Sequence, residues 1–436
     1  MASSLDELIR QAKLVLDFNW TGEYTKPGPR LYPHQWSWDA AFIAIGYARY
    51  DQERAIAGLR HLFAAQWANG LLPQIVFDPE YADSYSPGVD LWKAHRSPHS
   101  STQALTSGVV QPPLHATAVL HVHRHAQDQA ATRAFLEEAF PHLEAWHSYL
   151  RRERDPTGSS LVYIRHPWES GMDNSPMWDS IMQRMQLSEQ DIPDYERADI
   201  RFATEGDRPV QTMYDRFAYL VQLFAERDYD EAAIRENCPF LVQDVLFNAL
   251  LCRADSDLAE IARQIGADPA PFERDAEATR AAIDEQLWDE DHALYLDRDV
   301  VAGQPLRAYA AAGFIPLFAG VPDERRARLM VDGLESASFG VGRPEMKAVS
   351  SYDRHGFGFS PVEYWRGPVW INIDWLLMRG LDSYGFATQA VELRETIVEL
   401  VADQGFFEYF EPDTGKAHGS HMFSWSAALF LDVALE

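Results

Sequence analysis

Residues 4–17, SLDELIRQAKLVLD, set the fold class. Ser4 can cap a helix start, and Leu5, Leu8, Ile9, Ala12 and Leu16 then fall on one stripe of an amphipathic helix. Working outward from it, the same period returns near 38–49, 52–67, 114–127, 131–153, 213–227, 239–266, 271–287, 306–318, 323–335, 369–381, 385–402 and 422–434. Only short strands are expected, at 161–165 or 294–298. The class is therefore all-α. No Ser/Gly/Pro linker or low-complexity stretch divides the chain, so a single domain over residues 1–436 is expected. Helices in pairs, joined by alternately short and elaborate loops, fit an α/α toroid whose long loops gather at one mouth. A plain α-solenoid would show a clearer repeat period than this chain does.

Composition narrows the partners. The chain has 436 residues, 38 Lys+Arg against 66 Asp+Glu and a net charge of −28; 46% of it is hydrophobic and 12% aromatic. That supplies a large core, and it repels phosphate backbones and anionic lipid, which argues against nucleic-acid and membrane partners. An anionic ligand would need a local cationic pocket. Cys238 and Cys252 are too few for a disulfide framework and read as buried thiols. The first twenty residues lack the pattern of a signal peptide, and no 18-residue apolar run occurs, so a cytoplasmic location is expected. Self-association into a homo-oligomer is compatible with this composition.

Chemistry concentrates in the loops 22–38, 69–96, 165–182, 352–370 and 404–425, where aromatic, acidic and Gly/Pro residues cluster. In LYPHQWSWDAAF (31–42), Tyr32, Trp36 and Trp38 offer flat apolar faces beside the acceptor Asp39, the combination that grips a sugar ring. The same residues could equally be a helix start with core tryptophans. In HPWESGMDNSPMWD (166–179), Trp168, Gly171, Asp173 and Trp178 form an irregular turn. A carboxyl held among tryptophans loses hydration and keeps its proton at neutral pH, and Asp173 is the candidate for that role. Glu169 and Asp179 read as solvated loop acids. In GFFEYFEPDTGKAHGSHMFSW (405–425), Glu408 sits between aromatics and is the candidate for a second catalytic carboxylate, while Glu411 and Asp413 belong to a turn.

These segments, with TSGVVQPPLHA (106–116), RPVQTMYDRF (208–217) and SPVEYWRGPVW (360–370), resemble the glycoside hydrolase family 63 group that holds mannosylglycerate and glucosylglycerate hydrolases. These are relatives of processing α-glucosidase I and, more distantly, of inverting trehalases. The resemblance implies an (α/α)6 barrel without an added N-terminal β domain, and no cofactor. It makes Asp173 look like the general acid and Glu408 like the general base of an inverting exo-α-glycosidase. Tyr32, Trp36, Trp38, Asp39, Trp168, Gly171, Tyr364, Trp365, Trp370 and Trp425 would line the sugar pocket. Gln111, Arg208, Tyr214 and the loop residue Tyr85 would hold a glycerate, with Arg208 supplying the positive charge. The expected substrate is glucosylglycerate or mannosylglycerate, with a neutral α-linked disaccharide such as trehalose, kojibiose or sucrose as the alternative. Gln74 stands where the glycerate hydrolases are expected to carry histidine, and the loop after it looks longer than theirs; both bear on the leaving group.

Three other patterns carry less. HATAVLHVHRH (115–125) spaces His121 and His125 like metal ligands, but with no helical carboxylate nearby it reads as a helix exterior, and no metal is expected. The GFG run in 355–359 lacks the strand and third glycine of a dinucleotide fingerprint. A sugar epimerase would need paired histidines in the aromatic loops. A non-catalytic sugar binder would not require both Asp173 and Glu408.

Overall fold

The structure is a computed structural model that describes residues 4–82, 85–197, 199–201, 206 and 208–436. Six helical elements pack side by side in a closed inner ring: Ser37–Tyr47, His115–Arg124, Val245–Ile265, the 3-10 segment Ala311–Leu317, Ile371–Ser383 and Ser424–Ala434, the last returning to the first. Leu5–Asn19, Gln52–Ala64, Gln129–Arg154, Ala270–Gln286, Glu324–Leu334 and Ala387–Gln404 form an outer layer. This is the (α/α)6 arrangement. Inner and outer helices differ as their surroundings demand. Every residue of Ser37–Tyr47 is buried, so it carries no polar face, whereas Leu5–Asn19 buries only the stripe Leu8, Ala12, Val15, Leu16 and Asn19. Ser4 caps that outer helix, its side chain accepting the Glu7 N–H at 3.2 Å. The two ends of the chain meet where the ring closes. Asn19 donates to the Met422 carbonyl at 2.8 Å and to Ser424 Oγ at 2.9 Å, and Arg49 Nε lies 2.6 Å from Asp432 Oδ1.

Most helices fall where the periodicity puts them, and the departures have local causes. The segment 306–318 forms a 3-10 helix, Ala311–Leu317, because Pro316 within it has no N–H to continue an α-helical ladder. The long helix expected from 239 starts at Val245, where Asp244 caps it by accepting the Phe247 N–H at 2.5 Å. The 294–298 expectation is met by two short strands, Leu294–Tyr295 and Arg298–Asp299. At 161–165 a single bridge, Ile164 to Val242, replaces the expected strand. There the side chain of Asn248 takes the place of a ladder neighbour: it accepts the Val162 N–H at 2.8 Å and donates to the Val162 carbonyl at 2.9 Å.

The histidine-rich helix is not an exterior one. His115–Arg124 belongs to the inner ring, His115 is buried, and its Nε2 lies 3.0 Å from Ser37 Oγ. A carboxylate does stand nearby, but from the far end of the chain: His121 Nε2 is 2.8 Å from Asp432 Oδ1, an acid that also receives Arg49, Arg379 and the Trp375 indole. Both cysteines are buried thiols, and burial pushes each up to about 12. Among the described residues, no helix is long and apolar enough to cross a membrane.

Candidate active site

Four inner helices open onto one hollow at their N-terminal ends. Trp38 and Asp39 lie in the first turn of Ser37–Tyr47, Gln111 precedes His115–Arg124, Trp365 precedes Ile371–Ser383, and Trp425 begins Ser424–Ala434. The hollow, about 820 Å3 including its mouth, is lined by Asp173, Glu408, Tyr32, Trp36, Trp38, Asp39, Gln74, Tyr85, Gln111, Trp168, Gly171, Arg208, Tyr214, Tyr364, Trp365 and Trp425. These come from every loop the sequence marks as unusual. Trp370 is the exception: it stands one layer back, stacked under Trp365 with ring centroids 3.7 Å apart and planes 4° from parallel, and its indole donates to the Tyr364 carbonyl. It stiffens the wall; Trp365 takes the exposed position. Trp92, Asp199 and Phe423 also line the hollow and were not anticipated, as do the apolar Leu31, Ile75, Pro87 and Pro209. Trp92 lies in the loop that reads as elaborate, 6.0 Å from Trp168 ring to ring, so its tryptophan content was the available signal. Ser84 of the SYSPG turn lies outside the described residues.

The aromatic walls are braced edge to face. Trp38 meets Trp425 at 5.4 Å and 90°, and Trp36 meets Tyr32 at 5.2 Å and Tyr85 at 5.4 Å. Trp36 and Trp38 are thus core on one side and cavity on the other, so the two readings of their segment are both realised. Gly171 makes part of this possible. Its φ is +74°, and a Cβ there would lie 2.5 Å from the Trp38 ring.

Three acids share the hollow under different constraints. Asp173, from the turn after Gly171, is raised to about 7: loss of hydration on burial is the main cause, the nearby Arg208 charge opposes it, and Glu408 adds to it. Asp39 is also raised well above the usual carboxylate range, chiefly by burial and further by Glu408 and Asp173. Glu408 lies in the strand Phe407–Phe410, paired antiparallel with Ala417–His421, and every recorded partner of its carboxyl is a donor. Tyr32 Oη donates to Oε1 at 2.5 Å; the Ser420 N–H donates to Oε2 at 2.8 Å and Arg208 Nη2 to the same oxygen at 3.3 Å. Both oxygens are thus used as acceptors. The hairpin comes so close that a Cβ on Gly419 (φ +70°) would lie 2.5 Å from Glu408 Oε2.

Glu169 corrects the sequence reading. It is fully buried, not solvated, and saturated: Arg154 donates to both oxygens at 2.9 Å, and the backbone N–H groups of Arg165 and Val110 donate at 2.6 and 3.2 Å. Burial, the largest single influence, pushes its pKa up, but the charge and hydrogen bonds of Arg154 together with the charge and backbone N–H of Arg165 outweigh it and hold the carboxyl below the ordinary range. Asp179 is likewise paired, with Arg366 at 2.6 and 2.9 Å. Glu411 and Asp413 are turn residues as expected, tied to His418 and Arg354.

At the cavity's other flank the Arg208 side chain is largely buried, with its guanidinium over the rings of Tyr364 and Tyr32 at 4.6 and 5.5 Å. Gln111 Oε1 accepts the Trp38 N–H at 3.1 Å, which turns its amide nitrogen to other use. Asp199 is gripped by Arg197 at 2.6 and 3.1 Å, and Arg197 in turn lies 4.2 Å over the Tyr214 ring. Among the described residues, no three His, Cys, Asp or Glu side chains converge as a metal-holding group.

With this geometry in view, the chain's relatives can be compared. The model of the mannosylglycerate hydrolase MGH1-like glycoside hydrolase domain matches residues 32–426. A mannosylglycerate hydrolase of Rubrobacter radiotolerans is 60% identical over 432 residues, which cover 99% of this chain and 98% of that protein. A glucosylglycerate hydrolase of Mycolicibacterium hassiacum is 37% identical, over 98% of this chain and 97% of its own. The crystal structure of a GH63 mannosylglycerate hydrolase from Thermus thermophilus, in complex with Tris and D-glycerate, shares the fold with a TM-score of 0.91 at 40% identity, covering 98% of this chain and 99% of that one.

Proposed function

This chain belongs to the mannosylglycerate hydrolase MGH1-like glycoside hydrolase family, and from that premise we propose that it is an inverting exo-α-glycosidase releasing hexose and glycerate from glucosylglycerate or mannosylglycerate. The observation that carries the proposal is the meeting in one aromatic hollow of two acids 235 positions apart (408 − 173) in different surroundings. Asp173 keeps a proton near neutral pH, and Glu408 accepts hydrogen bonds from three donors.

The steps follow from those states. Asp173 gives its proton to the glycosidic oxygen as the bond to the anomeric carbon breaks. Glu408 removes a proton from a water attacking the opposite face, so an α-linked substrate yields a β-configured sugar. An inverting pair stands roughly 6.5–9.5 Å apart to admit that water. The tryptophan walls bind the sugar's C–H faces and exclude other water, while Asp39 accepts sugar hydroxyls. Arg208 provides the positive charge that a glycerate carboxylate needs on a protein of net charge −28. Gln111, Tyr85 and Tyr214 would complete its hydrogen bonds. Residues 1–436 would act as one (α/α)6 catalytic domain.

A neutral α-linked disaccharide is the second reading. The observation in its favour is Gln74, a neutral amide in the lining whose buried Oε1 lacks a partner and could accept a sugar hydroxyl. Incubation with glucosylglycerate, mannosylglycerate, trehalose, kojibiose and sucrose separates the two. Preferred release from the glycerate glycosides, lost far more in Arg208→Ala than any activity on a neutral sugar, supports the first. Preferred cleavage of a neutral disaccharide, unaffected by Arg208→Ala, overturns it.

A further inference from the structure

Arg208 touches more than an aglycone could explain. Its Nη2 donates to Tyr32 Oη at 2.8 Å and to Glu408 Oε2 at 3.3 Å, and the same Tyr32 hydroxyl donates to Glu408 Oε1 at 2.5 Å. Arg208, Tyr32 and Glu408 therefore form a closed three-membered circuit around the candidate base. The side chain is largely buried, and its Nε has no hydrogen-bond partner. One edge of the cation is committed to the base; donors on the remaining edge stay available to an anion in the cavity.

We propose that Arg208 is a positioning residue that couples the charge of the aglycone to the strength of the base, so that an anionic leaving group makes Glu408 a better proton acceptor than a neutral one does. The inference rests on the assignment of Glu408 as general base and of Arg208 as the anion's partner. Its physical basis is Coulomb's law at close quarters. The Arg208 cation lies 3.3 Å from the carboxylate and attracts it, and an anion placed on the cation's other side weakens that attraction. The other charged or titratable groups facing Glu408 are Tyr32 from the loop before Ser37–Tyr47, Asp39 from that helix, Asp173 from the 166–179 turn and Tyr364 from the 352–370 loop. Of these and Arg208, Arg208 is the cation, and it is the group a substrate carboxylate would engage.

The test uses the complete protein and two glucosides of one skeleton: 2-O-α-glucosylglycerate and 2-O-α-glucosylglycerol, in which a hydroxymethyl group replaces the carboxylate. The acidic limb of kcat/KM against pH reports the base in the free enzyme, and that of kcat reports it in the complex. With the glycerate glucoside, the acidic-limb pKa of kcat should exceed that of kcat/KM by on the order of one pH unit. With the glycerol glucoside the two should coincide, and in Arg208→Gln the gap should close for the glycerate glucoside too. A purely structural Arg208 would lower rates without moving the limbs. Coincident limbs in the wild-type enzyme acting on the glycerate glucoside overturn the coupling; a persistent gap in Arg208→Gln also overturns it. Failure to release glycerate at all would instead sink the parent assignment, so the two failures are distinguishable.

Discussion

Glu169 and Asp173 lie four residues apart on the same turn, Glu169 fully buried and Asp173 partly open to the hollow, and have opposite fates. Glu169 accepts two hydrogen bonds from Arg154 and two from backbone N–H groups, and Arg165 and Glu231 extend the network behind it, with Arg154 Nε 3.2 Å from Glu231 Oε2. Its charge is fully compensated, so it stays ionised and fixes the loop. Asp173 has the Arg208 charge in its vicinity but no comparable clamp, and loss of hydration leaves it holding a proton. Loss of hydration leaves a carboxyl structural when an ion pair and backbone donors clamp both its oxygens, as at Glu169, and leaves it an acid when no such clamp is present, as at Asp173.

The largest test of that contrast is chemical. Asp173→Asn and Glu408→Gln should each lower kcat by about 10²–10⁴-fold, the usual range for a lost general acid or base, with no loss of stability in denaturant unfolding. Glu169→Gln should do the reverse. Removing one partner of a buried ion pair strands Arg154, at a cost of about 3–5 kcal/mol in denaturant unfolding, while the folded fraction keeps its turnover. If Glu169→Gln lost turnover and kept its stability, the division between the two acids would be wrong.

Much of this was legible in the sequence, and the limits are specific. The stripe of Leu5–Asn19 and its Ser4 cap are local features, so periodicity finds them. The ring helix Ser37–Tyr47 has no polar face, yet its flanking motif WSWD announced it. The identity of the loops as carriers of chemistry came from composition, since Trp36, Trp38, Trp168 and Trp425 are too many aromatics for ordinary connections. Glu169 was misread because its decisive partner, Arg154, lies 15 residues upstream on a different element, and Glu231 lies farther still. The Asp432 that faces His121 is 311 positions away, so the histidine helix looked external. Trp370 and Trp365 belong to one motif, and only side-chain packing decides which of them faces the cavity. Asp199 gave no local signal; its meaning comes from Arg197 and the neighbouring Tyr214.

A smaller effect concerns backbone approach. Gly419→Ala puts a methyl group against Glu408 Oε2 at a φ of +70°, and displacing the base should lower kcat by about 10- to 100-fold, with a smaller change in KM. Glycine at that position matters to Glu408 and not to Glu169, so a matching loss in stability alone would contradict the placement. The mildest prediction is a pH dependence. Asp173 has a folded pKa near 7, above its unfolded value, so its contribution to stability is fully present below about pH 4 and is lost as pH rises from there through 7. Asp173→Asn should therefore match wild type in stability near pH 4 and exceed it near pH 8. The alkaline limb of wild-type turnover should also fall near pH 7, as the acid loses its proton.

The central claim is that Asp173 and Glu408 act from opposite faces of one anomeric carbon with a water between them. The most direct measurement is proton NMR of the sugar first released from glucosylglycerate or mannosylglycerate, recorded before mutarotation. The β-anomer appearing first is the predicted result. The α-anomer appearing first would mean retention and would contradict the assignment of Glu408 as the base that activates water.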